Sequence, residues 1–290
     1  MFSGSYVAIV TPMHADGAID HQAWARLLEF HAANGTRGIV VGGTTGESAT
    51  LSDAELRELV VRSREQLRGR VQLLAGAGTS STAATVERAA WLGGLGVDAL
   101  LVVTPAYNKP TQEGLYLHFA AVAAASPVPL MLYNVPGRTA VDMLPQTVAR
   151  LAELPRIVAI KEAVADVGRV RELVAACGPG FDVLSGDDAT AREAVLAGAR
   201  GTVSVTANVA PRQMSEVMAA ALAGRREAAE AADARLAALH ERLFLEANPI
   251  PVKWVMHQMG LIGPGLRLPL TPLSQRFHER LREAMRAAGL

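Results

Sequence analysis

The segment RIVAIKE, residues 156–162, contains four consecutive apolar residues and then a lysine. A short run that is apolar on both faces is typical of a strand in a parallel sheet covered by helices. Lysine is among the residues that are least often buried, so the position of Lys161 at the end of this run requires an explanation. It either extends to solvent from a strand end or is held at the sheet edge for chemistry.

Similar runs recur along the chain and alternate with segments of helical periodicity. They are YVAIVT (6–11), RGIVVGG (37–43), VQLLAGAG (71–78), DALLVVTP (98–105), VPLMLYN (128–134), RIVAIKE (156–162), FDVLSGD (181–187) and GTVSVTA (201–207). One intervening segment, residues 52–67, begins with Ser52 and Glu55 in the spacing of a capping box. Eight strand–helix units predict an α/β fold, a closed (β/α)8 TIM barrel rather than an open doubly wound sheet.

The alternation stops after about residue 210, and only helical patterns follow from about residue 225. We therefore predict a barrel domain at 1–224 and a small C-terminal helical domain at 225–290. The C-terminal region is interrupted by NPIPVKW (248–254) and GPGLRLPLTP (263–272).

The overall composition excludes several function classes. Lys and Arg total 28, as do Asp and Glu, which gives no electrostatic case for a nucleic acid or a membrane surface as partner. The single cysteine, the lack of a signal-peptide pattern and the lack of a long apolar run predict a soluble, cytoplasmic protein. The seven histidines show no ligand spacing, so we expect no metal site.

In such barrels the active site lies at the carboxyl ends of the strands. The candidates there are Thr44, Thr45, Tyr107, Tyr133, Arg138, Lys161, Gly186 and Val203. An amine kept away from water can act as a nucleophile and form an imine with a 2-oxo acid. Phenols and hydroxyls can relay protons, while backbone N–H groups and an arginine can bind carboxylates.

Each candidate also has a purely structural interpretation. Lys161 alone would usually be a solvent-exposed strand-end lysine, and GGTTGES (42–48) could be a tight turn, since it lacks the lysine of a phosphate-binding loop. Tyrosines are more often packing residues, and we interpret Asp187 and Asp188 as a helix cap. The occurrence of several candidates at equivalent strand ends favours the chemical interpretation.

Seven motifs carry a resemblance to a known family over residues 4–272. They are VGGTTGESATL, TPAYNKPTQEGLYLHF, LYNVPGRT, IKEA, LSGDDAT, SVTANVAP and NPIPVKW. Together they resemble the dihydrodipicolinate synthase family, within the superfamily of pyruvate-dependent class I aldolases and N-acetylneuraminate lyases. The resemblance implies a lyase that condenses pyruvate with L-aspartate 4-semialdehyde in diaminopimelate and lysine biosynthesis, with no cofactor.

The resemblance also implies roles for individual residues. Lys161 would form the imine with pyruvate, and Tyr133, Thr44 and a neighbouring subunit's Tyr107 would relay protons. Thr45 and Gly186 would lie around the pyruvate carboxylate, with the backbone carbonyl of Val203 near the imine. Arg138 would hold the carboxylate of the semialdehyde. A tyrosine given across an interface implies a homo-oligomer, in most relatives a tetramer built as a dimer of dimers.

Two alternatives and one departure remain at this level. The alternatives are a related 2-oxo-acid aldolase, acting on N-acetylneuraminate, a 2-keto-3-deoxy sugar acid or 4-hydroxy-2-oxoglutarate, and a non-catalytic barrel. The departure concerns feedback inhibition by lysine, because five positions at which inhibited relatives resemble one another differ here. They are Asp53, Leu56, Ser80, Ala84 and Ala106, and we expect weak or no inhibition by lysine.

Overall fold

Eight parallel strands form a closed barrel in which each strand pairs with the next and β1 pairs with β8. The computed structural model describes residues 1–290. The strands are β1 (Gly4–Ala8), β2 (Gly38–Val41), β3 (Gln72–Gly76), β4 (Ala99–Val103), β5 (Leu130–Asn134), β6 (Ile157–Glu162), β7 (Asp182–Ser185) and β8 (Gly201–Ser204). The predicted (β/α)8 barrel is confirmed.

Helices cover the outside of the barrel. They are α1 (His21–Ala33), α2 (Asp53–Leu67), α3 (Thr82–Gly93), α4 (Gln112–Ala125), α5 (Pro136–Thr139), α6 (Pro145–Ala152), α7 (Val167–Cys177), α8 (Ala191–Leu196) and α9 (Pro211–Leu222). Helix α2 begins with the predicted capping box, in which Ser52 and Glu55 bond each other's backbone N–H. No helix in the protein is long and apolar enough to cross a membrane.

The chain after α9 is helical, as expected. Its helices are α10 (Arg226–Ala234), α11 (Ala237–Arg242), α12 (Ile250–Gln258) and α13 (His278–Ala288). A boundary between two domains at residue 224 stays a prediction. The two parts are in contact, since Asn248 and Lys253 bond residues of the loop after β2.

Two apolar clusters hold the barrel together. The larger one lies between the strands and the surrounding helices, and the smaller one fills the barrel interior with side chains that include Tyr6, Leu74, Met131 and Leu184. Because side chains alternate along a strand, every second residue enters the interior. The interior is therefore packed, and open space is found at the mouth of the barrel.

The first strand differs in its limits from the predicted run 6–11. It begins at Gly4, whose N–H bonds the carbonyl of Arg200, and it ends at Ala8. Two residues later the N–H of Val10 bonds the side chain of Asn208. A side chain has replaced the neighbouring strand as the partner there, so the ladder stops.

Candidate active site

A cavity of about 120 Å³ lies at the carboxyl ends of the barrel strands. Its volume suits a substrate of a few non-hydrogen atoms rather than a drug-sized ligand. Six of the eight predicted site residues line it: Thr44, Thr45, Tyr133, Arg138, Lys161 and Gly186. Residues that are far apart in sequence therefore meet at one point, as the strand-end argument predicts.

Lys161 enters this cavity because of its position in β6. Ala159 lies in the barrel interior, so Lys161, two residues further on, points to the same side. Lys161 pairs in register with Tyr133 of β5, and its Nζ lies 4.4 Å from the centre of the tyrosine ring. The lysine is 5% exposed. A buried amine beside a phenol has the surroundings that an imine-forming lysine needs.

Gly186 leaves room for the lysine. A Cβ atom at this position would lie 2.8 Å from Cε of Lys161 and 2.9 Å from Cβ of Ala163. Both distances are too short for carbon atoms, so any larger residue would displace the lysine chain. The glycine after β7 is thus part of the geometry of the amine.

The loop after β2 brings two hydroxyl groups to the cavity. Its tight turn is closed by backbone bonds from Gly46 to Gly43 (3.0 Å) and from Glu47 to Thr44 (3.1 Å). The Oγ1 of Thr45 accepts a hydrogen bond of 2.9 Å from Nδ2 of Asn248. Both threonines line the cavity, Thr45 as a buried residue and Thr44 as a half-buried one.

Glu47 connects that loop to the C-terminal region. Its backbone is left-handed, with φ of 59°, and its side chain is fully buried. The carboxylate forms an ion pair with Lys253 of α12 and also accepts the backbone N–H of Arg267. The Arg267 guanidinium in turn bonds Glu55 and the carbonyl of Thr50. The C-terminal region therefore holds the loop that carries the two threonines.

Arg138 is positioned by the short helix α5, directly after β5. Arg138 is an exposed residue that lines the cavity, and its guanidinium donates to the backbone carbonyl of Asn248 at 3.4 Å. The other basic side chain of the cavity is Lys161. Two basic groups on one small cavity suit anionic substrates.

Two predicted residues do not line the cavity. Tyr107 is 95% exposed and has a left-handed backbone with φ of 75°, and one chain alone does not bring its phenol to Lys161. Val203 is fully buried in the barrel interior, and Val205 of the same segment lines the cavity.

The outer side of β5 and β6 carries a second polar pair. Asn134 and Glu162 are paired in register, next to Tyr133 and Lys161, and Nδ2 of Asn134 donates to both carboxylate oxygens of Glu162 (3.2 and 3.1 Å). Glu162 points away from the barrel interior, as predicted. Burial raises its pKa to about 7, although bonds from Val164 and Asn134 oppose this shift.

Asp187 and Asp188, the two acidic residues after β7, have different hydrogen-bond partners. Asp187 accepts bonds from the backbone and the hydroxyl of Thr190 at the start of α8. Interpreting Asp188 as a helix cap is wrong: its buried carboxylate accepts the backbone N–H groups of Val205 and Thr206. It joins the ends of β7 and β8, because the short loop turns it inward rather than toward α8.

A larger cavity of about 460 Å³ adjoins the first and shares Thr44 and Tyr133 with it. Ser80, Ala106 and Arg88 are among its lining residues, which include no acidic side chain. Asp53 forms an ion pair of 2.6 Å with Arg88. Leu56 and Ala84, the other two positions considered for lysine inhibition, do not line this cavity.

Sequence reasoning gave no role to Asn248 and Phe244, which also line the smaller cavity. Both come from the C-terminal region, which carries no strand-end signal. Asn248 begins NPIPVKW, which is both a break between helical segments and one of the motifs of the resemblance, but neither observation assigns it a role. The Glu47–Lys253 pair was also missed, although an acid within a glycine-rich turn is unusual.

Comparisons with known proteins agree with this geometry. The sequence profile of the Dihydrodipicolinate synthetase family matches residues 1–288. The 4-hydroxy-tetrahydrodipicolinate synthase of Thioalkalivibrio sulfidiphilus is 57% identical over 290 residues, which cover 100% of this chain and 99% of the relative. The enzyme of the same name from Stutzerimonas stutzeri is 56% identical over 290 residues, with the same coverage.

Solved structures give the same result. The chloride-inhibited dihydrodipicolinate synthase of Acinetobacter baumannii, crystallised with pyruvate, has a TM-score of 0.98 and 50% identity, covering 100% of this chain and 99% of that one. A structure described as a monomeric dihydrodipicolinate synthase variant has a TM-score of 0.97 and 41% identity, covering 100% and 97%. The predicted family is confirmed. This chain belongs to the dihydrodipicolinate synthetase family.

Proposed function

We propose that this protein is a 4-hydroxy-tetrahydrodipicolinate synthase, a class I lyase that condenses pyruvate with L-aspartate 4-semialdehyde. The observation that carries the proposal is the buried Lys161 amine at the barrel mouth, with the Tyr133 ring 4.4 Å away. Relatives that are 57% and 56% identical to this chain have this activity in their names. The reaction belongs to the biosynthesis of diaminopimelate and lysine.

Lys161 acts as the nucleophile. Its neutral amine attacks the C2 carbonyl of pyruvate, and loss of water leaves an iminium ion linked to Nζ. The iminium withdraws electrons from C3, so that a C3 proton can leave and an enamine forms. Because the imine itself is the electron sink, the reaction needs neither a metal nor an organic cofactor.

Carbon–carbon bond formation follows at the enamine. Its C3 attacks the aldehyde carbon of the second substrate, and the aldehyde oxygen takes up a proton. The amino group of the semialdehyde then attacks C2 and displaces Lys161, which closes the ring and restores the free amine. Tyr133 and Thr44, at the boundary of the two cavities, are suited to carry these protons.

The two carboxylates are assigned to different groups. Thr45 and the backbone around it hold the carboxylate of pyruvate, close to Lys161. Arg138, an exposed residue at the cavity mouth, holds the carboxylate of the semialdehyde. A guanidinium is well suited to a carboxylate because its planar donors match the two oxygens.

The active site is completed by a second copy of the chain. In one chain Tyr107 is 95% exposed and does not contribute to the cavity. A tyrosine with a left-handed backbone is strained, and such strain is usually found where the residue has a function. We assign it to the site of a neighbouring subunit, in a homo-oligomer that is a tetramer formed from two dimers. Mixing inactive Tyr107→Phe and Lys161→Ala variants, with exchange of subunits, should restore part of the activity.

Reduction with borohydride in the presence of pyruvate tests the mechanism. We expect a carboxyethyl group on Lys161 after peptide mapping, and none in the Lys161→Ala variant. Rates with L-aspartate 4-semialdehyde, compared with N-acetylneuraminate and 4-hydroxy-2-oxoglutarate, test the substrate. An unmodified Lys161, or faster turnover of a sugar acid, would refute the proposal.

A further inference from the structure

Asn248 connects the C-terminal region with both carboxylate-binding groups. It lies between α11 and α12, outside the barrel strands, yet it lines the small cavity and is 6% exposed. Its side-chain Nδ2 donates to Oγ1 of Thr45 at 2.9 Å, and its backbone carbonyl accepts from Arg138 at 3.4 Å. No other residue bonds both Thr45 and Arg138 through their side chains.

The bond to Thr45 decides what the threonine hydroxyl can do. A hydroxyl has one proton to donate and lone pairs that accept. Because Asn248 donates to Oγ1, a lone pair is occupied there and the hydroxyl proton is directed elsewhere. The cavity is the free direction, so the hydroxyl is oriented as a donor toward a bound anion.

The amide oxygen of Asn248 is also informative. Oδ1 is buried and has no hydrogen-bond partner within the chain. A buried acceptor without a partner carries a free-energy cost and is uncommon. The bond that Nδ2 donates to Thr45 is thus the only hydrogen bond of the Asn248 side chain.

We infer that Asn248 is a positioning residue for pyruvate: it fixes the Thr45 hydroxyl as a donor to the pyruvate carboxylate. The inference rests on the proposed function, since it needs pyruvate in the small cavity. The backbone carbonyl of Asn248 accepts a hydrogen bond from Arg138. Asn248 therefore also keeps the guanidinium that binds the semialdehyde carboxylate close to the Thr45 hydroxyl that binds the pyruvate carboxylate. Binding of both acids thus depends on a residue of the C-terminal region.

Two substitutions test the role of the donor. Asn248→Ala removes one hydrogen bond from Thr45 and should raise the KM for pyruvate about three- to tenfold. Asn248→Asp has nearly the same shape but an acceptor only, so it turns the Thr45 proton away from the substrate. The KM for pyruvate should therefore rise further in Asn248→Asp than in Asn248→Ala.

A double-mutant cycle separates this role from a general loss of stability. In a Thr45→Val background, Asn248→Ala should change the KM for pyruvate by less than about twofold, because the hydroxyl that it orients is absent. Asn208→Ala is the matched control, since this buried asparagine bonds only the backbone of Ala8, Val10 and Val205. Its effect should be additive with that of Thr45→Val.

The outcomes are distinguishable from those of the proposed function. Additive effects of Asn248→Ala and Thr45→Val, or an unchanged KM for pyruvate in Asn248→Asp, would overturn the inference while borohydride trapping on wild-type Lys161 still succeeds. If wild-type Lys161 is not trapped by pyruvate, both the proposed function and the inference are overturned. Should Asn248→Ala fail to fold, the isosteric Asn248→Asp decides alone.

Discussion

Replacing Glu47 by Gln should destabilise the protein strongly, because the ammonium of Lys253 would lose its counter-charge. The two side chains are almost completely inaccessible, 0% exposed for Glu47 and 3% for Lys253, and they form an ion pair. Removal of one partner from a buried pair typically costs about 3–5 kcal/mol. Burial already lowers the pKa of Lys253, while Glu47 raises it.

The magnitude has an upper limit that follows from proton loss. A buried lysine without a partner can become neutral, and for an amine with the ordinary pKa of 10.5 this costs about 5 kcal/mol at pH 7, at 1.36 kcal/mol for each pH unit. Glu47→Gln should therefore cost between about 3 and 5 kcal/mol. In Lys253→Met the carboxylate of Glu47 remains buried without its counter-charge, so this variant should be destabilised as well.

Urea unfolding of the intact protein at pH 7 measures these differences. Both single variants should be less stable than the double variant, which leaves no buried charge. The difference in the free energy of unfolding between the wild type and Glu47→Gln should decrease as the pH rises from 7 to 9. The unfolded state then binds more protons at Lys253 than the folded state, and under that condition stability increases with pH.

Glu113→Gln is the matched control, because Glu113 forms an exposed ion pair with Arg150. Exposed pairs contribute little, so its unfolding curve should overlay that of the wild type. The reasoning is refuted if Glu47→Gln is no less stable than Glu113→Gln, or if the double variant is less stable than both single variants.

Three further predictions concern the site and its surroundings. Gly186→Ala should lower kcat about 100-fold, because a displacement of the Lys161 amine by about 1 Å can slow a reaction by that factor. The variant should stay folded and show less borohydride trapping of pyruvate. In the folded protein the pKa of Glu162 is about 7, above the ordinary value of 4.5, so the folded state binds more protons than the unfolded state between these two pH values. As the pH rises from 4.5 through 7, the wild type should therefore lose stability relative to Glu162→Gln, by about 3 kcal/mol at most in urea unfolding. L-lysine should not inhibit the enzyme at low millimolar concentrations in a coupled assay. The larger cavity is lined by Arg88 and by no carboxylate that could bind the ammonium group of lysine. Half-maximal inhibition in that concentration range would contradict this prediction.

The barrel and most of the residues that line the small cavity could be predicted, because both follow from periodicity. Alternation along β6 places Lys161 inside and Glu162 outside, and parallel strands end at one mouth, so Tyr133 and Thr44 had to come near the amine. The surroundings of Glu162 do not follow from periodicity. An outward residue of a barrel strand lies under a helix, and the bonds with Asn134 depend on strand register.

Tyr107 and Asn248 show two other limits of sequence reasoning. The tyrosine lies in one of the motifs of the resemblance, but in one chain it is exposed, has a left-handed backbone and does not line the cavity. The asparagine is followed by a proline between two helices, which predicts a break and gives no information about the direction of its side chain. The roles proposed for both residues depend on contacts between distant parts of the chain or between subunits, which the local sequence does not specify.

The C-terminal region is for these reasons more than a helical addition to a finished barrel. Glu47 is buried in the loop after β2, and its counter-charge, Lys253, belongs to α12. A barrel that ended at residue 224 would hold a carboxylate without its counter-charge two residues from Thr45, and burial of an unpaired charge is strongly unfavourable. It would also lack the donor of Asn248 to the Thr45 hydroxyl. The strands fix where Lys161 lies, while the C-terminal region contacts Thr45 and Arg138, the groups proposed to bind the two acids. Neither part on its own therefore has the geometry of the site.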